Sequence, residues 1–181
     1  MNIYAALKKD HQKVETLLNQ LVEASESGNE NWKSLVEDIR DELIPHARAE
    51  EALFYNPIRE TPFGKKAISH AYGEHALAET ELRTLQAMET INANWTKLAK
   101  KLRTDLLHHV EVEESKVFAA ARQVFSEEES EQIGEAFERL KPHVRRQSFA
   151  GTSLDLITNL LPKRLVEGFR KHFGENKKRS A

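Results

Sequence analysis

The sequence predicts an all-α protein, a four-helix bundle with a C-terminal helical extension, and three observations carry that prediction. Gly and Pro number only 7 and 5 in 181 residues, while Leu, Ala, Glu and Lys abound, a composition of good helix formers. Apolar residues recur at three- and four-residue spacing along four long stretches. The chain also repeats itself. Residues 31–55, NWKSLVEDIRDELIPHARAEEALFY, align with 94–118, NWTKLAKKLRTDLLHHVEVEESKVF, at a shift of 63. Residues 8–18, KKDHQKVETLL, align with 72–82, YGEHALAETEL, at a shift of 64. A helix pair doubled about a pseudo-two-fold makes a four-helix bundle.

The first helix is expected from Ile3 to Ala24, with Leu7, His11, Val14, Leu18 and Leu21 on one stripe, ended by the polar run Ser25 to Asn31. The second runs from Trp32 to Asn56, with Leu35, Ile39, Leu43, His46, Glu50 and Leu53 or Phe54 on one face, and Pro57 and Pro62 bracket the turn that breaks it. The third spans Gly64 to Ile91, Asn92 to Asn94 form a loop, and the fourth spans Trp95 to Val124. Ser126 with Glu129 reads as a capping box that opens a fifth helix. The pattern weakens after Pro142; Thr152 to Leu161 is apolar, and Pro162 precedes a last short basic helix. The expected units are the bundle, 1–124, holding the repeat 1–57 and 64–122, and the extension, 125–181.

Lys plus Arg number 27 and Asp plus Glu 29, so nothing global points to nucleic acid. No Cys is present, which removes disulfides, thiolate metal sites, iron–sulfur clusters and cysteine catalysis and fits a reducing, cytoplasmic setting. The N-terminus lacks an apolar signal core, and no stretch is long and apolar enough to span a membrane.

His46 and Glu50 lie four residues apart, one turn along a helix and about 40° apart around it. His109 and Glu113 repeat the pair, and His11 and His75 occupy equivalent places on the other two helices. Four imidazoles and two carboxylates on apolar stripes would cost several kcal/mol to bury without a metal. The candidate metal ligands are therefore His11, His46, Glu50, His75, His109 and Glu113. Imidazole and carboxylate without thiolate suit iron, manganese or zinc. The repeat aligns His46 with His109 and Pro45 with His108, so His109 is the expected ligand. Glu51 and Glu114, at i+5 from a histidine, point about 140° away and are poor ligands. Glu15 and Glu79, at i+4 from His11 and His75, are expected at the stripe edge, facing solvent. Asp10 and Glu74 read equally as acceptors for an imidazole N–H or as helix-surface groups.

The arrangement of DH in helix one, HARAEE in helix two, EH in helix three and HVEVEE in helix four resembles the hemerythrin-like HHE cation-binding domain, over residues 3–122. The resemblance implies an up-down bundle with a non-haem di-iron centre. Carried over, His11, His46, His75 and His109 are terminal ligands and Glu50 and Glu113 bridge two Fe ions joined by an oxo or hydroxo group. Oxygen-carrying hemerythrins have five His, one Glu and one Asp; the four-His, two-Glu set is similar to bacterial members, including those linked to nitric-oxide stress and iron-centre repair. The repair proteins carry a further Cys-bearing N-terminal domain, and this chain has no Cys.

Two imidazoles, two bridging carboxylates and the bridge leave each iron one open place. The expected function is binding or reduction of O2, H2O2 or NO, in an oxidative-stress setting, with an oxidoreductase-type, peroxide-decomposing activity. The alternative is a non-catalytic iron store or redox sensor that signals to a partner. No catalytic residue is assigned apart from the ligands; the protein is expected as a monomer or dimer. Trp32 and Trp95 read as bundle-end packing; Tyr4, Phe54, Tyr55 and Phe118 read as core, with a sheath around the site as the alternative. His70, His143 and His172 lack partners at ligand spacing and are expected exposed. Lys163 to Ala181 carries seven basic and two acidic residues and reads as a solvated face.

Overall fold

Each half of the repeat forms two long helices joined by a short polar loop, and the four apolar stripes face one another. The computed structural model describes residues 1–59, 61, 64–146, 157 and 159–166, with the backbone alone at 66, 67, 145 and 146. The helices are α1 (Ile3–Ser27), α2 (Trp32–Glu50), α3 (Asn56–Arg59), α4 (Lys65–Ala87), α5 (Ala93–Val112), α6 (Phe118–Ala121) and α7 (Glu127–Arg146). Single π-helical turns, Glu51–Tyr55 and Glu113–Val117, join α2 to α3 and α5 to α6. Around the bundle α1 packs on α2 and α5, and α4 packs on α5 and α2. No strand occurs among the described residues. No helix among them is long and apolar enough to cross a membrane.

Local chemistry sets the ends. The Asn2 side chain accepts from Ala5 N at 3.0 Å, and Asn92 accepts from Asn94 N and Trp95 N at 2.9 and 3.0 Å. α1 runs three residues past Ala24, because Gly28, at φ 68°, takes the left-handed cap there and returns its N–H to the Ala24 carbonyl. The helical path of α2 also passes Pro57 and ends at Arg59. Pro57 has no N–H to donate, and the π turn before it already interrupts the regular ladder. At α7 the capping box forms: Ser126 N donates to Glu129 Oε2 at 2.9 Å, and Glu129 N donates to Ser126 Oγ at 3.1 Å. α7 continues past Pro142 and packs across α1 and α2.

The core has two parts. One, at the loop end of the helix pairs, contains Leu18, Leu21, Val36, Ile39, Leu82, Leu85, Trp95 and Leu102. There the Trp32 and Trp95 rings meet edge to face at 5.2 Å. The other contains Ile3, Leu7, Leu53, Phe54, Ile58, Phe118, Phe125, Ile133 and Phe137. Phe118 contacts Tyr4 at 5.2 Å and Phe54 at 5.9 Å. Ile157 and Leu161, from the apolar segment, are buried in this second part. The rest of Thr152 to Ile157, Thr158, and the tail from Glu167 onward, with His172, lie outside the described residues.

Candidate metal centre

Between the two apolar parts sits a layer of buried polar side chains. α1 supplies His11, α2 supplies His46 and Glu50, α4 supplies His75, and α5 with its π turn supplies His109 and Glu113. All six are buried, and Glu50 and Glu113 are 0 % and 1 % exposed. His108 is exposed, as are His70 and His143.

The Nε2 atoms face inward. Glu50 Oε2 lies 3.7 Å from His46 Nε2 and 3.3 Å from His75 Nε2. Glu113 Oε2 lies 3.2 Å from His11 Nε2 and 3.7 Å from His109 Nε2. The Nε2 atoms of His75 and His109 are 3.1 Å apart. The donor atoms of His11, His46 and Glu50 lie within 4.8 Å of one another, and so do those of Glu50, His75 and His109. Two ligands of one ion, each about 2.1 Å from it, sit no more than about 4.2 Å apart. Either group therefore closes on a cation with sub-ångström adjustment.

The Nδ1 atoms face outward, each to a carboxylate. His11 meets Glu114 at 2.9 Å, His46 meets Asp10 at 3.3 Å, His75 meets Glu51 at 3.0 Å and His109 meets Glu74 at 2.9 Å. An ionised carboxylate only accepts, so Nδ1 carries the proton and the Nε2 lone pair is left facing inward. These four carboxylates obey the repeat: Asp10 pairs with Glu74, and Glu51 with Glu114. Helix angle set Glu51 and Glu114 apart from the inner six, but it hid their reach to histidines on neighbouring helices. Their identity across the repeat was the available signal. The π turns that carry these residues, one beginning at Glu51 and the other at Glu113, were not visible in the hydrophobic pattern.

Glu15 is exposed and lines a cavity of about 20 Å³ beside the histidines, whose walls include Val14, Leu18, Leu43, Leu106 and Val110. Glu79 turns away, to Arg48 at 2.6 Å and Arg83 at 2.7 Å. Tyr55, expected as core, stacks on His75 at 5.4 Å. α7 adds two contacts: Lys141 Nζ binds Asp10 Oδ1 and Oδ2 at 2.9 and 2.8 Å, and the Phe137 ring meets His46 edge-on at 5.7 Å.

Burial is the largest influence on the electrostatics of the site. Burial, then the charge of Glu113, pushes the Glu50 pKa well above the carboxylate range. At Glu113 burial is outweighed by Glu50 and His11, which hold its pKa below that range. Burial lowers His46 to about 4 and also lowers His75. At His11 burial is outweighed by Glu113 and Glu114, and its pKa rises. All four oxygens of Glu50 and Glu113, with His11 Nε2, are buried without a hydrogen-bond partner. Such groups cost free energy unless a cation takes them up, and a nitrogen and oxygen set of this kind fits iron, manganese or zinc.

The family model for the Hemerythrin HHE cation binding domain matches residues 2–121. The crystal structure of a hemerythrin HHE cation binding domain-containing protein from Mycobacterium kansasii superposes with a TM-score of 0.70 at 22 % identity, covering 89 % of this chain and 99 % of that one. The likeness is one of fold. A protein of Nostoc sp. named DNA nickase is 26 % identical over 147 residues, 81 % of this chain. The match spans 41 % of that protein's length.

Proposed function

Because the chain belongs to the hemerythrin HHE cation-binding domain family, through residues 2–121, we propose that it is a non-haem di-iron protein that binds or reduces a small oxidant. One observation carries the reading: Glu50 and Glu113 are buried with unpartnered oxygens, and each touches one histidine from either half of the cluster. In this reading His11 and His46 would hold one iron and His75 and His109 the other, with Glu50 and Glu113 completing the donor set. Residues 1–124 are the unit that would hold the centre, and in the extension 125–181 the helix α7 packs across α1 and α2.

Bound iron supplies the electron change and Lewis acidity that O2, H2O2 or NO requires. The chain's own groups do the rest. Asp10, Glu51, Glu74 and Glu114 keep the imidazole protons outward, so four Nε2 lone pairs converge. The cavity of about 20 Å³ matches a molecule of the size of water, dioxygen or peroxide. Val14, Leu18, Leu43, Leu106 and Val110 give it apolar walls. Glu15, exposed and lining that cavity, is the acidic group that would pass a proton between solvent and ligand in this reading.

Protein expressed with added iron is expected to hold about two irons per chain. Peroxide loss, measured with free iron chelated, is expected to continue over many turnovers and to disappear with the iron in Glu50→Ala. A stop at about one equivalent of peroxide per site would replace the enzyme with the sensor or store. Nicking, named for the Nostoc relative, is a second reading favoured by that similarity alone. Supercoiled plasmid left intact by the metal-loaded protein, and cut by no metal supplied, removes it.

A further inference from the structure

The inner ligands and the four outer carboxylates follow the repeat, but the groups behind the carboxylates do not. Glu114 is backed by Lys8 at 3.1 Å and its counterpart Glu51 by Arg48 at 3.2 Å, a cation in either half. Asp10 and its counterpart Glu74 differ. Glu74 meets His70, an exposed side chain of its own helix, at 3.2 Å. Asp10 is buried, and both its oxygens bind Lys141, which comes from α7, outside the repeat. Phe137, one turn before Lys141, covers the His46 ring on the same side. The difference between the halves is therefore concentrated at α7.

We propose that Lys141 is a positioning residue for one metal position alone, the one offered by His11 and His46, and that it acts through Asp10 on His46. The inference rests on the di-metal reading. Without Lys141, the buried Asp10 carboxylate would be left with a single donor and would swing toward solvent. His46 then loses the acceptor that holds its Nδ1–H and directs its Nε2 inward. Glu74 is partly exposed and has no such dependence, so His109 keeps its orientation. α7 thereby makes a symmetric ligand set unequal.

Cobalt(II) titration of the metal-free full chain, followed by absorption and by competition with a chelator, tests this. Wild type is expected to take two equivalents. In Lys141→Met one equivalent should weaken about 10–100-fold, while the other stays within about twofold. Lys141→Arg, which keeps a cation, should restore the first equivalent. Glu74→Gln should weaken the other one, and the double variant both. Should Met at 141 prevent folding, judged by far-UV circular dichroism, Lys141→Gln carries the same comparison. Two equivalents bound by Lys141→Met as tightly as by wild type, or both weakened alike, would overturn the inference and leave the di-metal reading standing. Wild type holding fewer than two would sink the di-metal reading and the inference with it.

Discussion

At the scale of single residues, neighbours in sequence have opposite fates. His109 is buried with its Nε2 inward, while His108 is exposed. His109→Ala is expected to lose at least one metal by elemental analysis, and His108→Ala to keep both. Glu113 and Glu114 divide differently. Glu113→Ala removes an inner oxygen donor and should empty the site. Glu114→Ala removes only the acceptor for His11 Nδ1–H, so affinity should fall about 10–100-fold with stoichiometry retained. His46 carries a pH prediction for the metal-free chain. Its pKa drops from 6.5 to about 4 on folding, so between these values the unfolded chain binds the extra proton. Its contribution is complete above pH 6.5 and is lost as pH falls toward 4, amounting to about 2 kcal/mol between pH 7 and 5. Urea unfolding of chelator-treated protein should show a steeper loss over that range in wild type than in His46→Gln; equal slopes would contradict it.

At the scale of elements, the two π turns fall one residue out of step in the repeat, one beginning at Glu51, directly after Glu50, and the other at Glu113 itself. A π turn inserts one extra residue into the helical path and is frequent at functional sites. Here consecutive glutamates reach opposite nitrogens of one imidazole: Glu50 Oε2 lies 3.3 Å from His75 Nε2, and Glu51 Oε1 lies 3.0 Å from His75 Nδ1. Hydrophobic spacing averages over several turns, so a single widened turn leaves no mark in it. The docking of α7 has a sharper signature. A methyl group at Gly134 would overlap the backbone of Met1 to Ile3, the segment that opens α1 with Ile3 fully buried. Gly134→Ala is expected to cost about 1–3 kcal/mol and to lift α7 from α1. Thermal unfolding reads the cost, and a parallel weakening of one cobalt(II) equivalent would report that Lys141 has moved as well.

For the whole molecule, the polar layer divides two apolar parts that are each well packed. Fully buried side chains such as Phe54, Phe118 and Leu53 contribute about 1.5–3 kcal/mol each, so helicity does not depend on metal. The metal-free chain should therefore stay helical but melt lower, with a difference of about 2.7 kcal/mol at a hundredfold excess of free metal over Kd. Equal melting temperatures for loaded and metal-free protein would place any bound metal away from the bundle core.

Helix class, the pairing of the two halves and the inward convergence of six side chains followed from local information. Spacing of three and four residues marks a helix face whatever surrounds it, and a repeat carries each feature of one half to the other. His109 could be preferred over His108 for that reason, since only one of them keeps step with His46. The partners of Asp10, Glu51, Glu74 and Glu114 could not be assigned this way, because an acidic side chain reads the same whether solvent or an imidazole from another helix lies beside it. Lys141 was equally silent: it belongs to no repeat, and it meets Asp10 across 131 positions of chain. Such contacts arise from how α7 crosses α1 and α2, and a crossing angle is set by packing of whole faces, which no local spacing encodes.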